Sequence, residues 1–292
     1  MAQSRTALRA QSASRRPRFP RRVQGRHARR PPRRAPGLRL VVALGALLAV
    51  VGGSAFELVR GRHPGPVFAD EFNGTRVDAD KWSSGYPWGC TNETTGERQC
   101  YVPEALTVRD GLLVIEADRV PGGRLPYRSG MIVSAGSFSR RYGYFELRAK
   151  LPRGKGLWPA FWLLPKPTGK WPPELDVMEL FGSDPDTVLM GQHWRDAAGR
   201  ERKRIRSWAG PDFSAGFHTF GLSWGPDAVV WYVDGVERYR SVRNIPTEEM
   251  YVLVNLAVGG EGPGDPDAST RFPSRMEVDY VRVWEDWRRL RR

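Results

Sequence analysis

The chain is organised around one acidic stretch, Trp171-Pro172-Pro173-Glu174-Leu175-Asp176-Val177-Met178-Glu179-Leu180-Phe181-Gly182. Its carboxylates alternate with apolar residues, so a strand would place Glu174 and Asp176 on one face and the apolar side chains on the other. Glu179 lies at an odd offset from Glu174, and a regular strand would turn it into the apolar layer, where an unpaired charge is costly. One extra residue at Val177-Met178 restores the phase. We therefore predict a β-bulge that returns Glu179 to the face of the other two carboxylates.

Three carboxylates on one strand face favour glycoside hydrolysis. That reaction needs two carboxyl groups flanking the scissile bond, about 5 to 5.5 Å apart in the retaining route. After a bulge, Glu174 and Glu179 are about four ladder steps apart, roughly 13 Å between α-carbons, and inward-leaning side chains could close the remainder. Asp176 is a nearby like charge that raises the pKa of the acid, and when protonated it can hydrogen-bond the nucleophile. The spacing alone leaves open a solvated acidic strand face or a Ca²⁺ site.

The rest of the chain after residue 107 is typical of strands and turns. Residues 107–117 and 229–239 each read as a hairpin with an Asp-Gly turn. Residues 143–151 alternate polar and apolar side chains, and 250–257 form a nearly continuous apolar strand. We interpret the basic run 202–206 as a solvated loop. Short strands at this density, without convincing amphipathic helices, predict an all-β, two-sheet sandwich.

Several further segments make the sequence recognisable. They are FADEFNG (68–74), ERQCY (97–101), YGYFELRAKLP (142–152), GLWPAFWLL (156–164), HW (193–194), NLAVGG (255–260) and VDYVRV (278–283). With the Glu-x-Asp-x-x-Glu pattern of the acidic stretch, they resemble glycoside hydrolase family 16 in its bulged, laminarinase-like form, over about residues 66 to 285. The resemblance implies a concanavalin-like jelly roll with a substrate cleft on its concave face.

The resemblance also implies roles for individual residues. Glu174 matches the nucleophile, Glu179 the general acid/base and Asp176 their helper. The sugar-binding positions of the family fall on Trp158, Trp162, Trp171, His193, Arg148 and Asn255.

A structural Ca²⁺ is the one metal that the resemblance implies. Glu71, the backbone carbonyl of Gly111 and Asp279 match the positions that hold it in many family members. Three oxygens are too few without waters, because Ca²⁺ takes six to eight ligands. No cofactor is expected to be required.

All 11 tryptophans lie after residue 80. Flat rings with a polar edge bind sugars by stacking on their apolar C–H faces. Trp158, Trp162 and Trp171 come close before the acidic strand, so we place them in the cleft, with core packing as the alternative. Three others sit in strand patterns and are expected in the core, namely Trp224, Trp231 and Trp284.

Cys90 and Cys100 are the only cysteines. In an exported domain, a pair ten residues apart is typical of a disulfide that closes a loop, worth about 2 to 4 kcal/mol. Metal ligation needs more partners than this loop offers. We expect the loop from Trp88 to Tyr101 to form a stiff flap at one end of the cleft.

The N-terminal region differs sharply from the rest of the chain. Residues 1–39 contain 13 arginines and no acid, and they carry all but one unit of the net charge of +14. An uncharged apolar segment, 40–56, follows at once, an order that indicates membrane targeting rather than nucleic-acid binding. It fits either a signal peptide or an uncleaved anchor. Both predict an extracytoplasmic protein, secreted or anchored to the cell membrane, with a linker at 57–66, one catalytic domain at 67–286 and a basic tail at 287–292.

These observations predict an exported, endo-acting, retaining β-glycosidase that hydrolyses β-1,3- or mixed β-1,3/1,4-glucan by double displacement. We expect a monomer that binds no nucleic acid and meets the membrane only through its N-terminal segment. Pro172-Pro173 stands where laminarinases usually read Cys-Gly or Gly-Gly, so an exopolysaccharide of bacteria is an alternative substrate. The pattern is also compatible with a non-catalytic lectin-like sandwich or a transglycosylase.

Overall fold

The structure is a computed structural model and describes residues 64–285. The predicted basic tail 1–39, the apolar segment 40–56, most of the linker 57–66 and the tail 287–292 lie outside the described residues. Within residues 64–285, no helix has the length and apolar character needed to cross a bilayer.

The described residues form 17 strands in two sheets, with short 3-10 turns at Glu93–Thr95 and Pro103–Ala105. The strands are β1 (Phe68–Asp70), β2 (Ser83–Ser84), β3 (Gln99–Tyr101), β4 (Leu106–Arg109), β5 (Leu112–Arg119), β6 (Tyr127–Ser129), β7 (Met131–Val133), β8 (Gly143–Lys150), β9 (Leu157–Pro165), β10 (Glu174–Leu180), β11 (Thr187–Arg195), β12 (Glu201–Ala209), β13 (His218–Trp224), β14 (Val229–Val233), β15 (Val236–Ser241), β16 (Met250–Val258) and β17 (Ser274–Trp284).

The strands order into a ten-stranded and a seven-stranded sheet. The ten-stranded sheet runs β15-β14-β13-β8-β17-β5-β6-β3, with β1 added to β17 and β4 to β5. The seven-stranded sheet runs β12-β11-β10-β9-β16-β7-β2. This all-β sandwich is the predicted fold class.

The hydrophobic core lies between the two sheets. Leu175 and Val254 of the seven-stranded sheet share one buried cluster with Leu147, Phe220 and Val281 of the ten-stranded sheet. Because side chains alternate along a strand, the polar neighbours of these residues point away from the core. The seven-stranded sheet therefore has an outer face that carries the carboxylates of β10, which we call the acidic face.

Both predicted Asp-Gly hairpins are present. Asp110 and Gly111 join β4 to β5, and Asp234 and Gly235 join β14 to β15. All four residues have positive φ, from 51° to 74°, as a two-residue type I′ turn requires. The predicted apolar strand is β16, and it is buried along its whole length.

The tryptophans expected in the core are buried. Trp224 and Trp231 lie in the cluster between the sheets, whereas Trp284 packs with Tyr144 in a separate cluster on the ten-stranded sheet. The loop expected at 202–206 is wrong, because these residues belong to β12, which pairs with β11 along its length. β12 is an edge strand, and charged side chains are well suited to an exposed sheet edge.

Candidate active site

The predicted β-bulge in β10 is confirmed. Asp176 pairs with Trp162 of β9 and Met178 pairs with Phe161, so one step on β9 spans two on β10 and Val177 is the extra residue. The register with β11 shifts over the same segment. Val177 stays in the core, and Glu179 returns to the acidic face, across from Ala160.

Glu174 lies beside an indole and an imidazole. Trp171 Nε1 donates a 2.6 Å hydrogen bond to Glu174 Oε2, and His193 Nε2 lies 3.6 Å from Oε1. His193 is brought into place by strand register, because it pairs directly with Glu174 across β10 and β11. Ligand atoms of Glu174, Asp176 and His193 all lie within 4.8 Å of one another, a set that also has the residue types of a metal site.

Asp176 is the most enclosed of the three acids, with 2% of its surface exposed. Its Oδ2 lies 3.2 Å from His193 Nε2 but outside hydrogen-bonding geometry. Gly191 pairs with Asp176 on β11, and a Cβ at Gly191 would lie only 2.6 Å from Oδ2. Because glycine has no side chain, Gly191 leaves room for the Asp176 carboxyl group.

Glu179 accepts a 2.8 Å hydrogen bond from Trp158 Nε1. Burial raises the pKa of Glu179 to about 8, and the charge of Asp176 contributes to the rise, while Trp158 and Lys203 act in the opposite direction. A carboxyl group with this pKa keeps its proton at neutral pH. Glu179 is thus equipped to act as a general acid.

Burial also raises the pKa of Glu174 well above its ordinary value. The charge of Asp176 raises it further, and the Trp171 hydrogen bond opposes the rise. Carboxyl groups so close together cannot all ionise, and their protons belong to the group rather than to one residue.

Trp162 and Asn255 form the floor of the site next to the acids. Trp162 Nε1 donates to Asn255 Oδ1 over 2.8 Å, and Asn255 Nδ2 donates to the Tyr101 hydroxyl over 2.9 Å. Tyr101 belongs to β3, directly after Cys100. The predicted disulfide between Cys90 and Cys100 is present, so the cross-linked loop is tied to the floor of the site.

Sequence reasoning missed two supports of this arrangement. Trp231 Nε1, from the core, donates a 2.7 Å hydrogen bond to the backbone oxygen of Asp176 and so fixes the bulge from below. Glu97 is buried in the cross-linked loop, where it accepts hydrogen bonds from Tyr86 Oη at 2.8 Å and Gln99 Nε2 at 2.6 Å. Glu97 lies in a segment that carried the family resemblance, which was the available signal. Nothing in the sequence pattern linked Trp231 to Asp176.

The prediction that Arg148 binds substrate is wrong. Leu147 and Ala149 of β8 enter the core, so Arg148 points outward from the ten-stranded sheet, with the core between it and the acidic face. There it pairs with Asp279 and stacks over Phe217, with 5.0 Å from the guanidinium carbon to the ring centroid. The assignment came from the family resemblance, and the alternation of residues 143–151 could not show to which sheet this strand belongs.

The carboxylates expected to hold calcium are paired with arginines in this arrangement. Arg282 donates to both carboxylate oxygens of Glu71, at 2.7 and 2.6 Å, and lowers the pKa of Glu71. Asp279 is paired with Arg148. Gly111 lies in the β4–β5 turn. Each carboxylate thus has an arginine as its partner, and calcium binding by these residues stays a prediction.

Comparison with known proteins agrees with this geometry. Residues 96–282 match the sequence family described as glycosyl hydrolases family 16. An endo-1,3-1,4-beta-glycanase of Rhizobium meliloti is 36% identical over 248 residues, a match that covers 75% of this chain and 52% of that protein. The chain thus spans about half the length of this relative.

Solved structures resemble the fold as well. The laminarinase catalytic domain of Thermotoga maritima has a TM-score of 0.70 and 33% identity, covering 77% of this chain and 99% of that domain. An endo-beta-1,3-glucanase of Pyrococcus furiosus has a TM-score of 0.65 and 34% identity, covering 75% of this chain and 94% of that one.

Proposed function

We propose that this chain, which belongs to family 16 of the glycosyl hydrolases, is an endo-acting β-glucanase that cleaves β-1,3- or mixed β-1,3/1,4-glucan with retention of configuration. The observation that carries the proposal is the bulge at Val177, which gathers Glu174, Asp176 and Glu179 on one sheet face. The family membership and the named activities of similar proteins support the substrate class.

In the first step, a Glu174 oxygen attacks the anomeric carbon of the bound sugar. The bond from that carbon to the leaving oxygen breaks as Glu179 donates its proton to this oxygen, and a glycosyl ester forms on Glu174. In the second step, Glu179, now a carboxylate, removes a proton from water. The water oxygen attacks the anomeric carbon, and the Glu174 carboxylate is released.

The surroundings of Glu179 support its role as the acid. Burial raises the pKa of Glu179 to about 8, so this residue is protonated at neutral pH and can act as the acid. Burial raises the pKa of Glu174 as well, and the Trp171 hydrogen bond is the contact that favours its ionised form. His193 Nε2 lies 3.6 Å from Glu174 Oε1 and 3.2 Å from Asp176 Oδ2, and it is positioned to contact sugar hydroxyls.

Tryptophan rings on the acidic face suit a polymer of sugars. Trp158 and Trp162 are partly buried with their indole nitrogens bound to Glu179 and Asn255, whereas Trp171 is 41% exposed. Rings fixed in this way can stack on pyranose faces close to the reacting carbon. We place the sugar residues at the scissile bond against these three tryptophans.

The residues directly before Glu174 bear on the identity of the polymer. Pro172-Pro173 before Glu174 departs from the usual laminarinase sequence, which keeps a bacterial exopolysaccharide as the alternative substrate. Digestion of laminarin, lichenan and bacterial exopolysaccharides, followed by sizing of the products, distinguishes these cases. Early release of mixed oligosaccharides identifies endo action.

We place the catalytic domain outside the cytoplasm, either secreted or held at the membrane by its N-terminal segment. The order of an arginine-rich region followed by an apolar segment supports this location, as does the disulfide of Cys90 and Cys100.

Azide rescue tests the roles of the two glutamates. With an activated aryl β-glycoside, Glu174→Gly should turn over only with azide and give the α-glycosyl azide, because azide attacks directly from the vacated side. Glu179→Gly should give the β-glycosyl azide, because azide replaces water in the second step. Glu237→Gln, on β15 of the ten-stranded sheet, is the control and should behave like the parent. Substantial hydrolysis by Glu174→Gly without azide would refute the assignment.

A further inference from the structure

Trp88 is a half-exposed aromatic residue that takes no part in the site of the three carboxylates. Its side chain is 50% exposed, although large apolar side chains are mostly buried in this fold. The tryptophans at positions 158, 162 and 171 each donate their indole N–H to a residue of the site. The structure records no such bond for Trp88 within residues 64–285. One ring face and the N–H donor are therefore both available to a ligand.

The other face of Trp88 is firmly backed. Its ring stacks on Tyr86, with centroids 4.7 Å apart and an interplanar angle of 15°. Tyr86 is itself buried, and its hydroxyl donates a 2.8 Å hydrogen bond to the buried carboxylate of Glu97. The backbone turns tightly at Trp88, because Gly89 N donates a hydrogen bond to the backbone oxygen of Tyr86. The next residue, Cys90, is held by the disulfide. The ring is held in place before any ligand arrives, which lowers the entropic cost of binding.

Trp88 also lies beside the acidic face. Tyr86 meets Trp162 edge to face, with ring centroids 6.3 Å apart, and Trp162 pairs with Asp176 across β9 and β10. Tyr86 packs on Met131 and Val133 of β7, near the sheet edge formed by β2. The Trp88 ring thus extends the row of aromatic side chains from the carboxylates toward the β2 edge of the seven-stranded sheet.

We propose that Trp88 forms an outer sugar-binding subsite that stacks on a pyranose residue of the polymer beyond those at the scissile bond. The inference rests on the proposed function for the identity of the polymer. Its recognition chemistry is general, since a flat indole face binds the C–H face of a β-linked hexopyranose and the indole N–H can donate to a hydroxyl. Trp88 would strengthen binding of long chains without touching the reacting atoms.

Binding measurements on a Glu174→Gln background test this role independently of hydrolysis. Calorimetric titration with a series of β-1,3- and mixed-linkage gluco-oligosaccharides should show affinity that rises with chain length. Adding Trp88→Leu should weaken binding of the long oligosaccharides about five- to tenfold, the effect of one lost aromatic contact, and leave the short ones unchanged. Trp88→Phe, which keeps a flat ring, should recover most of the affinity.

Val236→Ala is the matched control, because Val236 is also 50% exposed but lies on β15 in the other sheet. It should not alter binding. Equal affinity of the parent and Trp88→Leu for long oligosaccharides would overturn the subsite. If oligosaccharides bind as expected but the parent enzyme cuts none, the proposed function fails while the subsite stands. If the Glu174→Gln protein binds none of them, both are overturned.

Discussion

Trp158 Nε1 donates a 2.8 Å hydrogen bond to Glu179 Oε1, so a residue expected to bind sugar also sets the proton affinity of the general acid. The bond favours the ionised carboxylate, and the pKa of Glu179 rises to about 8 in spite of it, because burial and Asp176 outweigh it. Stacking and acid catalysis are therefore coupled through one side chain.

Trp158→Phe should move the pH profile upward. Loss of the hydrogen bond removes a stabilisation of the Glu179 carboxylate, so its pKa should rise further and the basic limb of kcat/KM should shift to higher pH. Steady-state rates across pH with a soluble glucan measure this shift. A basic limb that stays in place or moves downward would show that Trp158 acts on the sugar alone.

Glu179→Gln should stabilise the fold increasingly as pH rises. The pKa of Glu179 is about 8 in the folded protein against an ordinary value of 4.5, so the folded state holds this proton more tightly. The stabilisation from this proton is complete below the ordinary pKa of 4.5 and is lost as pH rises through the folded-state pKa of about 8. Glutamine does not titrate, so the variant does not lose stability in this way. Its Tm should exceed that of the parent more at about pH 9 than at about pH 5, by roughly 2–4 °C per kcal/mol.

Thermal melts of both proteins across that pH range make the comparison. Glu237→Gln, on β15 of the ten-stranded sheet, is the control for the loss of one glutamate. A Tm difference between Glu179→Gln and the parent that is independent of pH would contradict the elevated proton affinity.

The bulge could be predicted from the sequence, because strict strand alternation would have buried the charge of Glu179. An odd offset between Glu174 and Glu179 could be reconciled with a buried apolar face only by an extra residue. The Asp-Gly turns were equally readable, since few sequences accept positive φ at two successive positions. Such features depend on a few neighbouring residues and can therefore be predicted from a short stretch of sequence.

Contacts between distant strands were not readable in the same way. The Trp231 hydrogen bond to the Asp176 backbone spans 55 residues and depends on how the two sheets stack. The basic run 202–206 was misread because an edge strand needs no apolar alternation to pair. Arg148 was assigned to the substrate site through the family resemblance, and the alternation of its strand could not correct this, because alternation gives the phase of a strand but not its neighbours.

Arg148→Met should leave catalysis unchanged and reduce stability slightly. The side chain pairs with Asp279 on the ten-stranded sheet, and such partly exposed ion pairs contribute up to about 1 kcal/mol. We expect kcat/KM within about twofold of the parent and a Tm lower by about 2–4 °C at most. Trp162→Phe, on the acidic face, should lower kcat/KM under the same conditions. A large rise in KM for Arg148→Met would restore Arg148 to the substrate site.

Gly191→Ala should impair catalysis through Asp176. The added Cβ would lie 2.6 Å from Asp176 Oδ2 and 2.4 Å from Ile205 Cδ1, so both neighbours must move. Displacement of the carboxyl group between the two glutamates should lower kcat on the order of a hundredfold. The double variant Gly191→Ala/Ile205→Ala relieves only the aliphatic clash and should recover stability but not kcat. Full recovery of kcat in that variant would mean that Asp176 tolerates the methyl group.

Replacement of both cysteines by serine should separate the stability of the cross-linked loop from the chemistry of the acids. Cys90 and Cys100 close a loop of about ten residues, for which lost chain entropy predicts about 2–3 kcal/mol of destabilisation and a Tm lower by about 5–10 °C. The loop carries Glu97 and leads into Tyr101, which contacts Asn255, but it contributes none of the three carboxylates. Turnover well below the Tm should therefore fall less than tenfold. Adding a reductant to the parent should reproduce the lower Tm. An unchanged Tm in the serine variant would show that the loop keeps its conformation without the disulfide.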